Sequence, residues 1–166
     1  YPGCTDTTAF NFNQDASIDD GSCVYDIINI DQSDVITTCG GYMYDSGGSS
    51  GDYINNENQI ITIYPESEGE YVSLYFDEFY LEGCCDYVTI YDGESTSAPI
   101  LVPSSNGTSL YGDTYYASST NESGALTFTF TSDGSVTYSG WAVEILCTTY
   151  EVFGCTDTTA FNFNPI

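Results

Sequence analysis

From Cys39 onward the chain alternates apolar and polar positions with a period of two. Val72, Leu74 and Phe76 sit between Tyr71, Ser73 and Tyr75; Val88 and Ile90 sit among Tyr87, Thr89 and Tyr91. Leu126, Phe128 and Phe130 alternate with Thr127, Thr129 and Thr131, and Trp141, Val143 and Ile145 alternate with Ala142, Glu144 and Leu146. Such runs are half-buried strands with an apolar inner face and a Thr/Tyr outer face. Clusters rich in Gly, Ser, Asn and Asp separate them, at Ser46 to Gly51, Ser104 to Ser109, Asn121 to Gly124 and Asp133 to Ser135. No segment carries a sustained helical stripe. The expected fold is all-β, an antiparallel sandwich over residues 39–147. Residues 1–25 lack the alternation and read as a small loop module, with 26–38 as a linker and 148–166 as a second linker plus the start of another unit.

That last assignment rests on a repeat. Gly3 to Asn13 reads GCTDTTAFNFN, and Gly154 to Asn164 reads the same eleven letters, 151 positions later. The chain therefore reads as one period of an array plus the opening of the next. The repeat also accounts for an odd cysteine count of 7. Cys4 and Cys23 bracket the first copy and are expected to pair, while Cys155 matches Cys4 and would pair within the next unit. For Cys39, Cys84, Cys85 and Cys147 the favoured expectation is that Cys39 and Cys147 each take one of the adjacent pair. A vicinal Cys84–Cys85 bridge with Cys39–Cys147 stays open. Disulfides imply an oxidising, extracellular setting.

Charge narrows function sharply. There are 25 Asp and Glu against no Lys, Arg or His, a formal net charge of −25. Binding to nucleic acid or to an anionic membrane loses its main energetic term, and no segment is apolar enough to insert. A Ser-His-Asp or Cys-His pair, a Schiff base, a P-loop and a His-type zinc site all lack their residues. A carboxylate pair such as Glu82 with Asp86 is the only catalytic device left, and no enzyme activity is expected. Disorder does not follow from the charge, because hydrophobic residues make up 41% and aromatics 16%. The acids must instead be offset, and divalent cations are the means.

Two acidic constellations suit such an ion. In the first, Asn11, Asn13 and Asp15 stand at alternate positions, followed by Asp19, Asp20 and Gly21, with Asp6 as a further candidate. Ligands spaced by two can be turned inward by a tight loop, and oxygen-only donors favour calcium. An Asn/Asp turn held by its own hydrogen bonds is the alternative. The stretch resembles the GCTDxxAxNxNxxAxxDDGSC repeats of secreted Bacteroidetes surface proteins and, more loosely, thrombospondin type 3 repeats. That resemblance implies a calcium-bound spacer between domains.

The second constellation lies at strand ends. CGGYMYDSGG from Cys39, DYINNE from Asp52, VSLYFDEFYLEGCCDYVTIYDG from Val72 and LTFTFTSDGSVTYSGWAVEILC from Leu126 together resemble a CUB domain, in the variant of secreted Bacteroidetes proteins. The resemblance implies a jelly-roll sandwich and one calcium at its end, held by Glu82, Asp86 and Asp133, with Ser135 as a further ligand and Tyr53 supporting an acid by hydrogen bonding. It also implies export, by type IX secretion, to the cell surface. Taken together these readings predict an extracellular structural or adhesive module, the repeat unit of a fibre or adhesin, with copies of itself as partner and calcium as cofactor. A carbohydrate- or protein-binding accessory domain of a secreted enzyme is the alternative. The outward rings of Tyr71, Tyr75, Tyr87, Tyr91, Tyr115 and Tyr116 serve glycan stacking in that reading, and cross-strand packing otherwise.

Overall fold

The computed structural model of the protein describes residues 1–5, 7, 9, 12–21, 23 and 27–150. Two strands, β1 (Pro2–Gly3) and β2 (Ile18–Asp19), pair parallel in the N-terminal module, which the Cys4–Cys23 disulfide closes. The rest is a sandwich of β3 (Ile27–Asn29), β4 (Val35–Thr37), β5 (Tyr42–Tyr44), β6 (Asn58–Tyr64), β7 (Glu70–Tyr80), β8 (Tyr87–Tyr91), β9 (Ile100–Ser105), β10 (Thr114–Tyr116), β11 (Leu126–Thr131) and β12 (Gly140–Thr149). One sheet runs β10-β7-β12-β5-β3, the other β4-β6-β11-β8-β9. The strands expected from the alternation form and turn the expected residues inward. Val72, Leu74, Phe76, Val88, Ile90, Leu126, Phe128, Phe130, Trp141, Val143 and Ile145 all belong to one core.

One irregularity positions everything that follows. β7 and β12 pair antiparallel, but the register moves from Ala142↔Glu78 to Val143↔Phe76, leaving Asp77 unopposed. This bulge flips the parity of the strand. Phe76 and Phe79, three residues apart, therefore both enter the core, and Leu81 follows them in.

Residues 27–37, within the stretch read as a linker, are corrected by the structure. β3 pairs parallel with β5 and β4 parallel with β6, so this stretch supplies an edge to each sheet, with a 3-10 turn at Ile30–Gln32 between them. Strands of three residues are too short to show a period, and their partners lie far along the chain. The cysteine pairing is the second correction: Cys39 bonds Cys147, and Cys84 bonds Cys85. Gly140 of β12 lies opposite Tyr80, at the end from which the chain runs on to Cys84. Cys147 is seven residues further along β12, roughly 20 Å away at about 3.3 Å per residue. The adjacent pair is out of its reach.

A buried acid ties the two halves of the first sheet together. Asp45, fully enclosed, accepts the Trp141 N–H at 2.7 Å and the Gly47 N–H at 2.8 Å. Gly140 is needed beside it: φ is +79° there, and a Cβ would stand 1.8 Å from Asp45 Oδ2. Burial pushes the Asp45 carboxyl up from 3.8 to about 6, against the pull of the two N–H groups, with the Asp52 charge adding to the rise. The folded chain thus holds this proton more tightly than the unfolded chain, so stability falls as pH rises from about 4 to about 6 and is level above that. Glu57 and Glu82 are shifted in the same direction. Urea unfolding in calcium-free buffer is expected to give roughly 1–2 kcal/mol more stability at pH 5 than at pH 7. A stability that climbs with pH over that window contradicts the assignment.

Candidate metal centre

The loop that joins β7 to β8 and the loop that leaves β11 meet at one end of the sandwich. Antiparallel pairing of β8 with β11 sets Thr131 opposite Tyr87, which places Asp86 and Asp133 side by side just beyond the ladder. Glu82 arrives from the other sheet, after Leu81 has anchored the exit of β7 in the core. Glu82, Asp86 and Asp133 each offer a carboxylate oxygen within 4.8 Å of the other two. They are the residues the sequence proposed.

Asp86 is the hub and is fully buried. Its Oδ2 accepts the Tyr53 hydroxyl at 2.5 Å and its Oδ1 accepts the Asp133 N–H at 2.8 Å. Each oxygen retains a lone pair for an ion. Tyr53 is itself fixed, packing edge-on against Phe130 at 5.3 Å and accepting the Glu82 N–H at 3.2 Å. Its burial, and then its bond to Asp86, push the phenol well above its ordinary range, so it stays a donor. Asp133 Oδ1 accepts the Ser135 N–H at 2.9 Å, and the Ser135 side chain is exposed.

Glu82 is the member left wanting. Its Oε2 is buried with no hydrogen-bond partner. Its carboxyl is pushed up by burial first and then by the charges of Asp133 and Asp86. The chain has no Lys, Arg or His to relieve this arrangement, and an added cation would do so. Three carboxylates without nitrogen or sulfur donors suit a hard ion, and Ca²⁺ takes oxygen ligands from loops of this kind. The residues present fit calcium.

Sequence reasoning missed the frame around the site. Asn56 sits in the left-handed region at φ 63°, and its N–H donates to the Asp133 carbonyl at 2.6 Å. The Ser132 hydroxyl accepts the Glu57 N–H at 2.9 Å and donates to the Ile54 carbonyl at 2.7 Å. The adjacent Asn55 and Asn56 were the available signal, since Asn tolerates that backbone region.

The N-terminal constellation is different. Asn13 Oδ1 accepts the Asp15 N–H at 3.0 Å and Asp19 Oδ1 accepts the Gly21 N–H at 3.0 Å, which are turn-forming bonds of the alternative kind. Asp15, Asp19 and Asp20 are exposed, and no three of the described carboxylates in this module converge. Asp6 and Asn11 lie outside the described residues, as does Cys155. Of the outward tyrosines, Tyr71 and Tyr115 pack against the core, while Tyr116 is exposed. Tyr71 meets Tyr150 edge-on at 4.7 Å, and Tyr115 meets Phe76 at 6.0 Å.

The sandwich segment can be compared with known proteins. A family model described as the CUB domain matches residues 34–145. The chain belongs to the CUB family. Solved structures with this CUB fold include the full extracellular region of zebrafish Gpr126/Adgrg6, with 22% identity, TM-score 0.57, and coverage of 70% of this chain and 14% of that one. The MASP-1 CUB2 domain bound to Ca²⁺ aligns with 21% identity and TM-score 0.54, over 69% of this chain and 97% of that domain. The CUB1-EGF-CUB2 portion of human MASP-1/3 aligns with 19% identity and TM-score 0.54, over 76% of this chain and 44% of that one. The chain thus spans a small part of Gpr126 and the whole of a single CUB unit. CUB domains are extracellular protein-interaction modules and are generally non-catalytic, which agrees with the disulfides and with a chain lacking His and Lys.

Proposed function

We propose that this CUB domain is a calcium-stiffened structural or adhesive unit at a bacterial cell surface, joined to copies of itself. The observation that supports calcium most directly is the orphaned, buried Glu82 Oε2 facing Asp86 and Asp133 in a chain with no basic side chain. The MASP-1 CUB2 domain, of the same fold, is bound to Ca²⁺. Glu82, Asp86 and Asp133 would hold the ion here, and the ion would pin the exit of β7 to the ends of β8 and β11. Self-partnership is supported by the eleven residues shared between Gly3–Asn13 and Gly154–Asn164. Partnering through a basic side chain reaching the acids is ruled out between identical copies, since neither has one to offer. Freedom from Lys and Arg also leaves trypsin-like proteases no cleavage point, which suits an exposed fibre.

The test is electron microscopy of the native material beside light scattering of the purified chain, each with calcium and with a chelator. Filaments or oligomers that lose order when calcium is removed are expected. Monomers under every condition would defeat the array reading. A second reading, glycan binding, has one observation in its favour. Exposed Tyr80 and Tyr111 line a shallow groove with Phe79, Thr108 and Ser139.

A further inference from the structure

A second group of acids lies beside the sandwich site and plays no part in it. Glu57, at the entry to β6, is only 6% exposed, and neither carboxylate oxygen has a hydrogen-bond partner of proper distance and angle. Its backbone N–H is spent on Ser132 Oγ, and its carboxyl is pushed up by burial first and then by the charges of Asp45 and Asp31. Ser46 and the Ile54 backbone, linked to each other by the Ile54 N–H to Ser46 Oγ bond at 3.1 Å, soften this only in part. Asn29 supplies an independent sign. It ends β3, directly opposite Tyr44 in the ladder and hence next to Asp45, and its Oδ1 is buried without a partner. Gly48 covers it, and a Cβ at that glycine would stand 3.8 Å from Asn29 Oδ1. Asp31 lies two residues on, in the 3-10 turn that packs against β6, and is exposed. Three buried oxygens without donors, two exposed or enclosed acids beside them and no basic residue in the chain describe one kind of occupant.

We propose that Asn29 Oδ1, Asp31 and Glu57 form a second oxygen-only site for a calcium-type cation, with the Asp45 charge behind it. The ion binds β3 and the 3-10 turn to the entry of β6. Residues 27–31, through which the N-terminal module is joined to the sandwich, are held against it by this contact. Calcium thereby governs the joint between module and sandwich separately from the end of the sandwich.

The probe is calcium alone, titrated into the full 166-residue chain, with bound ions counted by equilibrium dialysis. Glu57→Gln is expected to lose one ion that Asp86→Asn retains, and the double variant to lose both. Amide hydrogen exchange locates the effect. Calcium is expected to slow exchange across 27–37 in the parent chain and in Asp86→Asn, and to leave it unchanged in Glu57→Gln. Should Glu57→Gln fail to fold, Asp31→Asn, at an exposed position, is expected to weaken the same ion by roughly tenfold or more. An unaltered ion count and affinity in a folded Glu57→Gln, or in Asp31→Asn, would overturn the site. Loss of no ion in Asp86→Asn would overturn the sandwich centre and leave this one standing.

Discussion

Asp86→Asn is expected to lower the melting temperature by about 8–16 °C in millimolar calcium, and by very little in a chelator. The difference between the two conditions carries the meaning. With calcium at about a thousand times its dissociation constant, binding to the folded state alone contributes about 4 kcal/mol, and a chain of this size loses about 2–4 °C per kcal/mol. Asn keeps the shape of Asp and one acceptor for the Tyr53 hydroxyl or the Asp133 N–H, but removes the charge at the centre of the ligand set. Without calcium that charge is a liability, because it faces Glu82 and Asp133 with nothing between them. Its removal then offsets the lost hydrogen bond, worth about 1 kcal/mol. Thermal unfolding of both proteins in both buffers decides the matter. An equal loss with and without calcium would mean that Asp86 serves only as a hydrogen-bond hub.

Removing the Cys39–Cys147 disulfide, by a double replacement with alanine, is expected to cost about 4–5 kcal/mol. The bridge spans 108 residues, nearly the whole sandwich, and the chain-entropy model assigns about 4.7 kcal/mol to a loop of about that length. It also fastens the chain just before β5 to the far end of β12, so that the first sheet is held at both ends: by Asp45 with Trp141 at one and by this bond at the other. Cys84–Cys85 joins neighbours in sequence and closes no chain loop. Its double replacement is expected to change global stability by less than about 1 kcal/mol. Urea midpoints of the two double variants give the comparison directly. Similar losses from both would contradict either the pairing or the entropic account.

The sandwich was legible because its inner faces are nearly pure. At Val72, Leu74 and Phe76, or Leu126, Phe128 and Phe130, every second residue is apolar, and a strand has only two faces on which to place them. The acids at Glu82, Asp86 and Asp133 were singled out by the resemblance to CUB domains, and each stands next to such a run, at a strand end. Where residues were few or partners distant, the chain said less. β3 and β4 hold three residues each and pair in parallel with strands met later, which no local pattern announces. The four sandwich cysteines could be matched only after the direction of β12 was known.

The bulge at Asp77 shows the boundary most clearly. The spacing of Phe76 and Phe79 breaks the period of two, and along the chain it reads as noise. In the sheet it is the step that turns Leu81 inward and delivers Glu82 to Asp86 and Asp133. Asp45 and Glu57 mark the other side of it. As letters they are ordinary members of a group of 25 acids, and the net charge of −25 was evident from composition alone. The 45–48 turn and the start of β12 close around Asp45, and the loop after β11 reaches Glu57 through Ser132. Charge is carried by each residue separately, so the chain could state how much there is and that no base would answer it. Burial depends on which distant segments cover a residue, so only the folded sandwich distinguishes the acids that are enclosed from those that face water.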